Sequence, residues 1–109
     1  MQTHSLYRVL AKRIREWNDG FREFVERLCR EEIVIEAYLV GSRARGDNLP
    51  YSDYDVLVVV PDDLDKIEAA IKLRRLRRKS FPLDLIVLWA SETADKVYAE
   101  MMRGAKKLC

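Results

Sequence analysis

The apolar positions of this chain switch period along its length, and each switch marks an element. From about Ser5 to Arg30, Leu6, Val9, Leu10, Ile14, Trp17, Phe21, Phe24, Val25 and Leu28 recur at three- and four-residue spacing, the pattern of an amphipathic helix. Asn18-Asp19-Gly20 is a candidate kink, but the register of Trp17, Phe21 and Phe24 continues across Gly20, so one bent helix is expected rather than two. The aromatic stripe reads as core rather than as a ligand box. Residues 33–40 (IVIEAYLV) read as a strand, 41–52 as a loop with a short helix, and 53–60 as a second strand ended by Pro61. Asp62 or Asp63 can cap a helix running to about Lys79, with Leu64, Ile67 and Ile71 on one face. A third strand follows from Phe81 to Trp89, and then a helix from about Glu92 to Lys107. Ser91 would cap that helix, with Val97, Met101 and Leu108 facing inward.

Strands alternating with helices predict an α/β or α+β domain, a small mixed sheet of at least three strands with helices packed mainly on one side. No fourth strand is visible in the pattern. A chain of 109 residues makes one domain, residues 1–109, with one modest core. There are no internal repeats and no low-complexity stretches.

The chemistry concentrates in residues 41–60, GSRARGDNLPYSDYDVLVVV. Gly41-Ser42 ends a strand and is followed, after ten residues, by Asp53-Tyr54-Asp55 at the start of another. Residues two apart on a strand share a face, so Asp53 and Asp55 should converge with Tyr54 turned away. Two adjacent carboxylates repel each other, and a hard cation with a preference for oxygen ligands, Mg²⁺ or Mn²⁺, relieves that repulsion. A glycine lets the backbone approach a phosphate closely. Ser42 can add a hydroxyl, and Arg43 and Arg45 can add charge and bidentate phosphate contacts. Asp84, in the apolar run FPLDLIVLW, would be costly as a lone buried carboxylate. On a strand next to Asp53 and Asp55 it would complete a metal cradle. The bland alternative is that these aspartates only cap a turn and a strand start. A bare GS-x10-DxD arises by chance in about one in a thousand chains of this length, which favours the functional reading.

With those residues in place, GSRARGDNLPYSDYDVLVVV followed by LDLIVL resembles the minimal nucleotidyltransferases of the DNA polymerase β-like superfamily. The shared pattern falls on Gly41, Ser42, Asp53, Asp55 and Asp84, and the resemblance extends over nearly the whole chain. It implies that Asp53, Asp55 and Asp84 hold two Mg²⁺ ions and that the Gly41-Ser42 loop holds a triphosphate, ATP being the expected donor. It also implies a partner, because many members act as the antitoxin of a small helical HEPN-type toxin. No residue of this chain displays that pairing by itself.

Composition narrows the field further. The formal net charge of +2 gives no general nucleic-acid binder, although 35% of residues are charged. With only Gln2, Asn18 and Asn48 as side-chain amides, the profile resembles thermophile proteins. No secretory signal and no apolar run of membrane-spanning length is present, so a cytoplasmic protein is expected. Cys29 and Cys109 are far apart, form no C-x-x-C and read as reduced thiols, with no spacing signal for a disulfide. His4 is the only histidine, which excludes a Ser-His-Asp triad and a multi-histidine zinc site. No Walker A loop occurs, and Arg45-Gly46-Asp47, inside the expected phosphate loop, carries no adhesion reading.

The reaction expected is in-line attack of an acceptor hydroxyl on the α-phosphate of a nucleoside triphosphate, with release of pyrophosphate. Asp84 is the candidate to help deprotonate the acceptor. The acceptor itself is not written in the sequence. A domain without a second module suggests that a partner supplies it, or is it. The rival readings are a non-catalytic module that binds nucleotide or caps its partner, and a stand-alone small-molecule transferase. Two surfaces are candidates for association, as a homodimer or with a helical toxin: the cationic stretch Lys72–Lys79, and the last helix with Tyr98, Met101 and Met102. The cationic stretch reads more simply as a solvated helix end.

Overall fold

The computed structural model describes residues 2–109, with side chains from Leu6 onward. Its first element, α1 (Gln2–Leu28), is one 27-residue helix without a break at Gly20. Gly20 serves packing there. A Cβ at this position would lie 3.2 Å from Phe81 Cδ1 and 3.3 Å from Lys79 Cβ, so the missing side chain is what lets α1 cross the 79–81 segment closely.

Four strands form one mixed sheet. They are β1 (Glu36–Val40), β2 (Tyr54–Val60), β3 (Leu83–Trp89) and β4 (Lys106–Lys107), in the order β3-β2-β1-β4. β1 pairs antiparallel with β2 and with β4, and β2 pairs parallel with β3. A parallel pair needs a crossover, which is supplied by α3 (Lys66–Arg74). β2 is one of the two inner strands, and Val56 to Val60 are buried without interruption, as a strand covered on both faces requires.

The two faces are unequal. On one, Phe24 and Leu28 of α1 and Leu73 near the end of α3 pack with Ala37, Tyr54, Val56, Val58, Phe81, Leu83 and Leu85 into the main core. On the other, Val40, Leu57 and Val59 are covered by Tyr98, Met101 and Met102 from α4 (Lys96–Met101) and the residues after it. The longer helices thus share one face, as the pattern predicted, and one short helix takes the other.

Four expectations are corrected. The helix expected from Glu92 to Lys107 is a 3-10 turn (Ala90–Ala94), α4 and a reversal into β4, a fourth strand too short to register as a pattern. Asp95, whose side chain accepts from Val97 N, caps α4 in place of Ser91. The cap of α3 is Asp65, whose Oδ1 accepts from Ile67 N at 2.8 Å and Glu68 N at 3.0 Å, rather than Asp62 or Asp63. Within α3, Ala69 and Leu73 are buried while Ile67 and Ile71 are exposed, and the helix ends at Arg74 rather than Lys79. Finally, Cys29 and Cys109 are joined as a disulfide, with Cα atoms 5.6 Å apart. Eighty residues separate them in sequence, and only the return of β4 to β1, with Cys109 O accepting from Ala37 N, brings them together.

Much of the Lys72–Lys79 charge is engaged locally. Lys72 pairs with Glu31 and Lys79 with Glu23, and Arg77 donates to Phe81 O at 2.7 Å. This supports the solvated-helix-end reading, since such exposed pairs are individually weak.

The disulfide closes a loop of 80 residues. Its removal by Cys109→Ser, or its reduction, is expected to cost about 2–4 kcal/mol of stability. Denaturant unfolding with and without reductant measures this, and superimposable curves would show that the bridge constrains nothing.

Candidate active site

The site is built where β1 ends, β2 begins and β3 begins. Parallel pairing aligns Tyr54 with Leu83, Asp55 with Asp84 and Val56 with Leu85. Neighbouring strands lie about 4.8 Å apart, so the two carboxylates stand side by side on one face. That face is the α4 face, shared with Leu57, Val59, Ile86 and Leu88. Val40, the last residue of β1, pairs with Asp55 from the other side.

Tyr54 fixes this arrangement from behind. It points to the main core, where its ring stacks on Phe21 at 4.7 Å and meets Phe81 edge-on at 5.3 Å. Its hydroxyl donates to Asn18 Oδ1. With Tyr54 so held, strand alternation leaves Asp55 the opposite face.

Gly41 closes the site in front. It has φ +73°, a left-handed conformation that costs other residues about 1–2 kcal/mol. A Cβ at Gly41 would also overlap the Asp55 carboxylate and lie 3.2 Å from Asp55 Cγ. Glycine is therefore required here by the carboxylate itself. α2 (Gly41–Arg45) follows and ends at Gly46, φ +83°.

A cleft of about 220 Å³ is lined by Val40, Gly41, Arg45, Asp55, Asp84, Ile86, Glu100 and Met101. The structure thus brings Gly41, Arg45, Asp55 and Asp84 together. Asp53 is exposed just before β2, outside the cleft wall but near enough to act on Asp55. Ser42 stands beyond the wall, its carbonyl accepting from Gly46 N and Asp47 N. Arg43 is turned elsewhere. It donates to Ser52 O at 2.9 Å and Pro50 O at 3.2 Å, and its guanidinium lies 3.8 Å from the Tyr54 ring centre. Its visible work is to staple the 46–53 loop onto Tyr54. Arg45 pairs with Asp47 at 3.3 Å and packs where a Cβ on Gly104 would come within 2.9 Å of its Cγ.

Glu100 and Met101 were missed as site residues by sequence reasoning. They belong to α4, and the sequence carries no signal that this helix covers the face opposite α1.

The electrostatics follow the geometry. The Asp55 carboxyl is held above the ordinary carboxylate range, first by burial, then by the charges of Asp84 and Asp53, with Arg45 opposing. Among the described residues, no group of three or more His, Cys, Asp or Glu side chains forms a ready metal cage. The donor set nonetheless suits a hard divalent cation: paired carboxylate oxygens, with the Asp55 charge disfavoured by burial and by its neighbours. Asp55 and Asp84 would hold it, with Asp53 adjacent.

A raised folded-state pKa means that the fold disfavours the Asp55 carboxylate. Above that pKa the group is charged in both states and the native state bears the cost. As pH falls through it, the native state takes up a proton first and the penalty fades. Asp55→Asn is therefore expected to raise thermal stability of the metal-free protein at about pH 8, with the gain vanishing towards about pH 4. Mg²⁺ should raise the melting temperature of the parent but not of Asp55→Asn. Melting curves across that range decide it, and a variant less stable than the parent at about pH 8 would contradict the account.

The nucleotidyltransferase domain family matches residues 21–102. The crystal structure of a candidate nucleotidyltransferase from Sulfolobus solfataricus is similar over 90% of this chain and 84% of its own, with a TM-score of 0.64 and 25% identity. A toxin–antitoxin crystal structure with AMP-PNP is similar over 84% of this chain and 71% of its own, with a TM-score of 0.52 and 24% identity, a likeness of fold. No curated protein matches the chain. The family match spans most of the chain and contains Gly41, Asp55 and Asp84, and on that ground the chain belongs to the nucleotidyltransferase domain family.

Proposed function

We propose that this protein transfers a nucleoside monophosphate, AMP from ATP, to an acceptor hydroxyl on a partner protein, as the antitoxin of a HEPN-type toxin. The observation that carries the transferase reading is the Asp55–Asp84 pair in register against a glycine that only a bare backbone can occupy. Adenine as the base is supported by the AMP-PNP of the toxin–antitoxin structure that shares this fold.

The cleft volume of about 220 Å³ suits a triphosphate rather than a whole nucleotide, so base and sugar would extend over the rim. Gly41 lets the loop backbone approach phosphate oxygens. Arg45, on the cleft wall, offsets their charge. Bound Mg²⁺ would neutralise the donor phosphates and the leaving pyrophosphate. Asp55 and Asp84 would hold that charge in place, and Asp84, the more exposed of the two, is the one open to an incoming hydroxyl and its proton. The remaining rate gain is positional.

The test is incubation with α-labelled ATP, Mg²⁺ and the product of a neighbouring gene. Label should pass to that protein, and Asp55→Asn or Asp84→Asn should each reduce transfer by about 100-fold or more. Binding of ATP without transfer to any acceptor would favour a non-catalytic clamp. Transfer to a free small molecule with the partner ignored would favour a stand-alone enzyme.

The two arginines should separate. Arg45→Ala is expected to weaken ATP binding with little loss of stability, because its ion pair with Asp47 is exposed. Arg43→Ala should instead lower stability by about 1–3 kcal/mol, having lost two carbonyl acceptors and its ring contact. Nucleotide titration and denaturant unfolding of both variants check the split.

A further inference from the structure

β3 is an edge strand. Among the described residues it pairs with β2 alone, in the sheet order β3-β2-β1-β4. The pairing fixes which of its main-chain groups are taken. Tyr54 N–H donates to Pro82 O at 2.8 Å, with Tyr54 in register with Leu83. Successive residues of a strand turn their main-chain groups to opposite edges, so the N–H and C=O of Asp84, Ile86 and Leu88 serve β2. Those of Leu83, Leu85, Val87 and Trp89 point away from it. Trp89 agrees with this, since its N–H donates to Glu92 Oε1 at 2.9 Å. That carboxylate closes one end of the edge. From Leu83 to Val87 no lysine, proline or bulge does so. The side chains of Leu83, Leu85 and Val87 pack into the main core, so main-chain donors and acceptors are what this stretch of edge presents. Asp84, which is exposed, stands among them with its carboxylate on the α4 face.

We propose that this edge takes up an extended segment of a partner protein, paired antiparallel to β3, with a hydroxyl side chain opposite Asp84. The main chain argues for a strand, because alternating donors and acceptors at this spacing match another extended backbone. Asp84 argues for the hydroxyl. Its own main-chain groups face β2, so towards the open edge it holds the non-hydrogen-bonded position, where opposed Cα atoms stand about 4.5 Å apart and side chains come closest. Opposed residues share a face, which places the incoming side chain on the α4 face beside the cleft. Further along, the added strand meets Ile86 and then Leu88. Leu88 borders a second cavity of about 260 Å³, lined also by Val97, Tyr98 and Met101 and by Glu92 and Asp95. It lies about 13 Å from Asp84 along the strand. Both of its acids are engaged, Glu92 by Lys66 and Trp89 N, and Asp95 by Val97 N. The cavity therefore suits an apolar side chain four residues before the hydroxyl. A second copy of this chain does not fit. β3 carries no hydroxyl, and pairing it with itself sets Asp84, Ile86 or Leu88 over the Asp84 carboxylate, a like charge or a desolvating aliphatic group. That the hydroxyl is the acceptor rests on the function proposed above: its oxygen would bond to the α-phosphorus as the bond to the leaving pyrophosphate breaks, and its proton would pass to Asp84. The pairing itself requires no turnover.

The probe is a fluorescently labelled synthetic peptide rich in threonine and valine, with a leucine four residues before its one serine, added to the full chain without nucleotide. Two further versions carry backbone N-methyl groups. One has them on the residues one and three before the serine, whose amides would face β3, and the other on the serine and the residue two before it, whose amides would face away. Anisotropy should show binding of the unmodified peptide and of the second version, with the first weakened about tenfold or more. Residue-resolved amide exchange reads the protein's side. In the free chain Leu85 and Val87 should exchange faster than Ile86 and Leu88, and the peptide should protect them, a pattern that a folding defect cannot mimic. Equal weakening by both methylation patterns, no binding, or Leu85 and Val87 already protected in the free monomer would overturn the proposal. So would a dimer in sedimentation in which those two amides are protected, since the second copy would then be the occupant. Addition of α-labelled ATP and Mg²⁺ separates docking from chemistry. Methylation-sensitive binding without label on the serine would uphold the added strand and overturn the transferase reading. Label passing to the neighbouring gene's product while Leu85 and Val87 still exchange freely would uphold the transferase and overturn the added strand.

Discussion

The constraint on which the site depends is a repulsion that the fold enforces. Asp55 and Asp84 would separate if the strands could slip, and the core does not let them. Tyr54, Val56 and Val58 on β2, with Leu83 and Leu85 on β3, are buried on the α1 side. A one-residue shift would turn those side chains to the other face and drive the carboxylates into the core. Each such burial is worth about 1.5–3 kcal/mol, so several together outweigh one strained carboxyl pair. The Asp55 carboxylate is left disfavoured, and a bound cation would relieve it.

The rest of the site is arranged around that pair from three directions. Behind it, the Tyr54–Phe21–Phe81 cluster ties the start of β2 to α1. In front, Gly41 gives up its side chain to the Asp55 carboxylate. Alongside, the C-terminal segment contributes Glu100 and Met101 to the cleft, abuts Arg45 at Gly104, and returns through β4 to the Cys29–Cys109 disulfide. The end of α1 is thus tied to the C-terminal segment beside the same sheet that carries the carboxylates.

What the sequence made legible divides along physical lines. Strong periodicity over long segments marked α1 and the three longer strands, and the i, i+2 carboxylates with a glycine upstream marked the candidate site, although Asp53 stands outside the cleft wall. The Asp84 placement was readable because a lone acid in an apolar strand demands a partner. Other features depend on tertiary contact and leave no local trace. A two-residue β4 is too short for a period. In Pro61-Asp62-Asp63-Leu64-Asp65 three acids could cap α3, and only the turn formed by Leu64 N and Pro61 O selects Asp65. Arg43 and Arg45 look alike as phosphate ligands, yet they stand two residues apart on a single helical turn and point differently. The cysteines carried no spacing signal because their pairing is made by the return of β4. Glu100 joins the cleft only because α4 covers the face opposite α1.

The central claim is that Asp55 and Asp84, against Gly41, form the place where metal and triphosphate meet. A crystal structure of the protein with Mn²⁺ and a non-hydrolysable ATP analogue tests it most directly, because anomalous scattering locates Mn²⁺ without assumption. The account predicts Mn²⁺ bound by oxygens of both Asp55 and Asp84, with the triphosphate running along the Gly41 backbone beside Arg45. Mn²⁺ bound elsewhere, or a nucleotide seated away from Gly41 with the two carboxylates free, would contradict it.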